Sequence, residues 1–221
     1  MNVVLLNRLL RTPGEVARDC KEERDVAGIA ANAIATIVVG AVLFGAAAGS
    51  WRGGPQIAFA AAKLPVVTIG TLALSVPAFY AVAAVFGRQW SLRAAISIML
   101  VAGARFSLVL LAATPALWLT IDLGASYHLV KLLAAFVYGL GGLAALGLLV
   151  RGLGGGPGRA ATVITFVGVF LLVGGQAAWI LRPYLGTPGR EDITLFTRER
   201  EGGLAYQLLV SLREVFGGST P

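Results

Sequence analysis

The chain has 221 residues, of which 57% are apolar and only 13% charged, and its mean hydropathy is +0.81. A water-soluble surface cannot be covered by that composition, so soluble globular classes are excluded. The formal charge of +7 would suggest nucleic acid in a soluble protein. Here the bases lie in tails and short loops beside apolar stretches, which directs them at lipid headgroups and leaves no nucleic-acid partner.

Residues 1–26 form the first predicted unit, a cytoplasmic or interfacial segment. Val4, Leu5, Leu6, Leu9 and Leu10 stand beside Asn7, Arg8 and Arg11, and Pro13 restarts a polar, helix-compatible run through Arg24. The pattern fits an amphipathic helix lying in the interface, followed by a short soluble helix. An arm that binds a partner would have the same pattern. Cys20 is the single cysteine, cannot form an intrachain disulfide, and is expected to stay reduced. Mixed charges rather than a short basic run precede the first apolar stretch, so the first span is expected to remain as an anchor.

Five apolar stretches follow, at 27–49, 64–87, 92–119, 129–150 and 160–181. Each is near or above the roughly 20 residues that cross a bilayer core of about 30 Å. They predict an all-α, polytopic bundle of five transmembrane helices over 27–182, with amphipathic segments at both termini. The connections 50–63, 88–91, 120–128 and 151–159 are short, so successive helices should run antiparallel in one bundle with no inserted soluble domain. Trp51, Trp90, Trp118 and Trp179 fall at or close to span ends, as do Tyr127 and Tyr184, matching an aromatic belt. Arg8, Arg11, Arg18, Lys21 and Arg24 precede the first span. Arg88, Arg93, Arg151 and Arg159 fall on the same side, against Arg52 and Lys63 opposite, which favours a cytoplasmic N-terminus. Beyond the last span, the tail 183–221 places Leu204, Leu208 and Leu212 along one helical face, suited to the membrane surface or a partner. Arginine far outnumbers lysine, and Ala and Gly are abundant, which points to a bacterial inner membrane.

No motif names a reaction. The spans hold no paired carboxylates, no Ser/His/Asp arrangement and no zincin signature, so the expected protein is not an enzyme and carries no cofactor or metal. Gly152-Leu-Gly-Gly-Gly-Pro-Gly158 lacks the Lys-Ser/Thr ending of a phosphate-binding loop and reads as a flexible hairpin. Arg105 is the most informative residue, because a cation near the middle of a span costs about 2.5–3.5 kcal/mol on insertion scales. Between Asp25 and Glu191 the only carboxylate is Asp122, roughly 25 Å away along a helix. Its partner is therefore a carbonyl, an amide such as Gln176 or Asn32, a lipid phosphate, or another subunit. Gly45-Ala-Ala-Ala-Gly49 lets two backbones approach closely, within the chain or between copies. His128, the only histidine, enters the fourth span beside Tyr127 and Lys131; one imidazole could hold a pigment or stand alone in the interface.

The run Pro13-Gly-Glu-Val, the tight block of five spans, and the second span Lys63-Leu-Pro-Val-Val-Thr-Ile-Gly-Thr-Leu-Ala-Leu-Ser-Val-Pro77 resemble bacterial members of the Yip1-like group of five-span membrane proteins. The resemblance covers about residues 8–182 and is architectural. The Asp-Leu-x-Gly-Pro signature of the eukaryotic members is missing, Asp122-Leu-Gly-Ala being a fragment of it, so no functional residue transfers. The resemblance implies a non-enzymatic protein that acts through association with membrane lipids and other membrane subunits. The sequence therefore predicts a non-catalytic subunit or scaffold of a membrane assembly. The alternatives are a small transporter or channel component, built on Pro65, Pro77, Pro115 and a thin stripe of polar residues, and a pigment- or quinone-binding accessory subunit built on His128.

Overall fold

The computed structural model describes residues 3–87 and 90–153, with individual helical positions between 160 and 171. Six helices follow one another: α1 (Val3–Arg11), α2 (Pro13–Lys21), α3 (Val26–Gly49), α4 (Pro55–Val85), α5 (Leu92–Asp122) and α6 (Tyr127–Leu153). Among the described residues helices and their turns occur without any strand, and α3 to α6 are each long and apolar enough to cross a membrane. Most of the predicted fifth span, with Gln176, lies outside the described residues. So does the tail with Leu204, Leu208 and Leu212.

Local chemistry sets the helix ends. Asp25, in a left-handed conformation, caps α3 by accepting from the Gly28 amide at 3.3 Å. Ser91 caps α5 by accepting from the Ala94 amide at 3.0 Å, and its hydroxyl donates to Glu23 Oε1, tying the start of α5 to the turn before α3. At the far end of α5, Gly124 turns the chain toward α6 with a φ of +80°.

One boundary differs from expectation. The stretch 50–63 is not a connection throughout: the turn closes by Gly54, and α4 begins at Pro55. Gly53 and Gly54, at φ +78° and +57°, perform the reversal in two residues. Pro55 then supplies the backbone angle of a first helical position, and the alanines after it are the strongest helix formers, so nothing delays the helix. Lys63 and Gln56 consequently sit in a helix and are buried, 5% and 1% exposed.

Helix α5 is the centre of the bundle: 61% of its most apolar window is buried, against 22–33% for the other three spans. Close backbone approach brings α3 and α5 together, since a Cβ on Gly40 would lie 2.5 Å from the Ser107 carbonyl oxygen. The α3–α4 pair is equally tight, with Gly45 against Ala60 and Gly49 against Gln56, an order that makes the two helices antiparallel. On the opposite flank Phe106 covers Gly141 and Ile98 meets Gly152, so α5 and α6 are antiparallel too. Two apolar clusters fill the interior. One lies toward the N-terminal end around Ile37, Leu72, Phe79, Ile98 and Leu148, the other toward the opposite end around Phe44, Leu64, Leu110 and Val137.

The short α2 packs on the ends of α5 and α6 through Val16, Ala17 and Cys20, all buried. Cys20 is thus not exposed among the charges that surround it in sequence. Burial, with the nearby Asp19 carboxylate second, pushes its thiol up to about 12. The thiolate is the reactive form, so at pH 8 only about one thiol in ten thousand is ionised. Maleimide or iodoacetamide should leave Cys20 unmodified in the folded protein at pH 8 and label it within minutes after denaturation; fast labelling of the native protein would contradict this packing.

Candidate functional site

Arg105 lies near the middle of α5 and is half-buried. Its Nη1 is fully buried and has no hydrogen-bond partner among the described residues. The ion pairs Arg8–Asp19 and Arg24–Glu22 both lie in the N-terminal segment, away from Arg105. A buried guanidinium nitrogen facing neither acceptor nor carboxylate is costly, so the structure sharpens the need for an acceptor that the sequence raised.

The polar residues of the spans divide into two kinds. Asn32, Thr36, Thr68 and Ser97 donate to the carbonyl four residues earlier in their own helices, at 2.8–2.9 Å, and are thereby satisfied by the backbone. The hydroxyls of Thr71, Ser75 and Ser107 are buried without a partner among the described residues. Thr71 and Ser75 are one turn apart on α4. Leu72 lies against Gly103 of α5, which places Thr71, Arg105 and Ser107 at neighbouring levels of the bundle.

Gly45 and Gly49 serve a contact within the chain. Their small face is taken by the backbone of α4, which leaves that face no room for a second copy. His128 is the second residue of α6, half-buried, with its ring edge-on to Tyr127 at 5.5 Å. Tyr127 also stacks at a tilt on Trp51, 5.1 Å away, and Lys131 sits 5.9 Å over its ring. Trp51 Nε1 donates to the Ala125 carbonyl at 3.3 Å, so this cluster closes the end of the bundle between the α3–α4 turn and the start of α6. No group of three His, Cys, Asp or Glu side chains able to hold a metal occurs among the described residues.

The structure therefore does not gather the predicted residues into one site. Arg105 is in the interior, His128 is at the far end, and the glycines are consumed in packing. Two buried polar residues, Gln56 and Lys63, fall within the stretch 50–63 that hydropathy alone assigns to a connection. The signal that would have found them is Pro55 followed by the alanine run, a helix start nine residues before Leu64. Comparison with known proteins adds no further residue: no family model, no curated protein and no solved structure matches the chain.

Proposed function

We propose that the protein is a non-catalytic membrane subunit or scaffold, acting through association with other membrane components. The observation that carries this reading is Arg105, whose buried Nη1 lacks a partner among the described residues. An acceptor brought by a companion protein would satisfy it. The likeness to Yip1-like proteins belongs to the same proposal, as an architecture of association without catalysis. The test is purification of the tagged chain from its native membrane in mild detergent, followed by mass spectrometry of what accompanies it. A stoichiometric companion is the expected result; a chain that elutes alone in every mild detergent defeats the reading.

A second reading is favoured by the buried hydroxyls of Thr71, Ser75 and Ser107, which with Arg105 offer unmet hydrogen bonds in the interior. Such groups could line a path for water or a small anion. Anion flux in vesicles reconstituted with the purified chain, reduced by Ser107→Ala, would favour transport over association.

The same proposal places the chain in a bacterial inner membrane with a cytoplasmic N-terminus. Supporting it, Arg8, Arg11, Arg18, Lys21, Arg24, Arg93 and Arg151 gather at the end of the bundle where α1 and α2 lie, against Arg52, Lys63 and Lys131 toward the other end. Buried Cys20 leaves a quiet background for labelling. Asp122→Cys, at an exposed helix end, should react with an impermeant maleimide added outside intact cells; reaction only after lysis would reverse the orientation.

A further inference from the structure

We propose that the cleft between α2 and the C-terminal end of α6 binds a phosphate-bearing anion, either the headgroup of an anionic lipid or free phosphate. The cleft has a volume of about 570 Å³. Four cations line it, Arg11, Arg18 and Lys21 from the N-terminal helices and Arg151 from α6, with Glu15 as the one carboxylate. Residues from opposite parts of the described chain, Arg11 and Arg151 among them, thus meet at one point, which only the seating of α2 on α5 and α6 brings about.

The surrounding carboxylates are already engaged. Asp19 pairs with Arg8, Glu22 with Arg24 at 2.7 Å, Glu23 accepts from Ser91, and Asp25 caps α3. Arg11, Arg18 and Arg151 have no ion pair among the described residues, so the cleft keeps an excess of positive charge. Lys21 is held 5.4 Å over the Trp90 ring. Trp90 in turn stacks at a tilt on Phe79, 5.8 Å away.

Shape and depth agree with this charge. At Gly14, on the cleft wall, an added Cβ would meet nothing within 4 Å, so the missing side chain leaves open space. The cations do not hang on a loose arm, because Val16 and Cys20, which do not line the cleft, are buried on α2. Trp90 and the end of α6 mark the level where a span meets headgroups. Guanidinium groups suit phosphate oxygens because their planar fork can donate two parallel hydrogen bonds. None of the lining residues is Arg105, so this site can fail while the association reading stands, and the reverse.

The full chain in mild detergent is examined by native mass spectrometry with phosphatidylglycerol and with phosphatidylcholine, and titrated with inorganic phosphate by ³¹P line width. Retention of phosphatidylglycerol over phosphatidylcholine is expected. It should fall about 30-fold in Arg18→Gln/Arg151→Gln, each interfacial charge contributing about fivefold. Gly14→Leu, which fills the cleft with every charge kept and favours the helix, should also lose it, so a loss there is not a failure to fold. Arg93→Gln, at the same end but outside the cleft, should bind as the wild type does. Saturable phosphate broadening lost in the same variants, with no preference between the lipids, would support the site with free phosphate as its ligand. Absence of both signals, or equal loss in Arg93→Gln, overturns the proposal.

Discussion

Gly45→Leu is expected to separate α4 from α3 and cost the bundle about 3 kcal/mol, the upper part of the usual range for overpacking. The first atom of any side chain at Gly45 would stand 2.5 Å from the carbonyl oxygen of Ala60 and 3.0 Å from Ala61 Cα. Both belong to backbone, which cannot rotate aside as a side-chain tip can, so relief requires the helices to move apart. Gly49 faces the same restriction, 2.7 Å from the Gln56 carbonyl oxygen, and the two contacts lie one turn apart on a single seam. Gly139→Leu and Gly142→Leu are the matched controls, because an added Cβ there meets nothing within 4 Å, and their effect should stay within about 0.5 kcal/mol. Thermal unfolding of the detergent-solubilised variants, followed by size-exclusion elution, compares them. Wild-type stability of Gly45→Leu would mean that α3 and α4 do not pack as described.

Arg105→Leu is expected to divide insertion from association. Removing the cation relieves about 2.5–3.5 kcal/mol of insertion cost, so the variant should reach the membrane at least as well as the wild type. Under the proposed function, the same change leaves an acceptor on the companion without its donor, which typically costs about 2–5 kcal/mol, so the companion recovered should fall at least tenfold. Arg105→Lys keeps the charge without the planar fork and should recover part of it. A leucine variant that holds its companion fully would show that Arg105 is only tolerated, its guanidinium satisfied by lipid or by the remainder of its own chain.

The helices themselves were legible because a bilayer imposes one simple requirement, a long enough apolar run, and the chain meets it repeatedly. The apolar stretch 27–49 corresponds to Val26–Gly49, and the stretch 92–119 to a helix that ends at Asp122. The second helix starts earlier than its apolar stretch. Hydropathy falls around Gln56 and Lys63, whereas helix formation there responds to Pro55 and alanine, so the two signals part. Arg105 also stood out in sequence, since a charge in an apolar run is visible without any fold. Its unmet Nη1 was not visible, because whether a polar atom finds an acceptor depends on which helix faces it.

Composition and order along the chain by themselves determined that this is a helical protein with runs long and apolar enough to span a membrane, with its turns at glycine and proline and its bases crowded toward one end. These are sums over neighbouring residues, and neighbours in sequence are all that a span or a turn needs. Only the tertiary structure decided that Gly45 and Gly49 face α4, that Thr71, Ser75 and Ser107 are buried unmet while Thr36 and Ser97 bond their own helices, and that Arg11 and Arg151 share a cleft. Each of those is a pairing of surfaces brought together from distant parts of the chain, and in an almost uniformly apolar sequence many pairings have the same hydropathy. Close fit of backbone to backbone, rather than hydrophobic burial, selects among them.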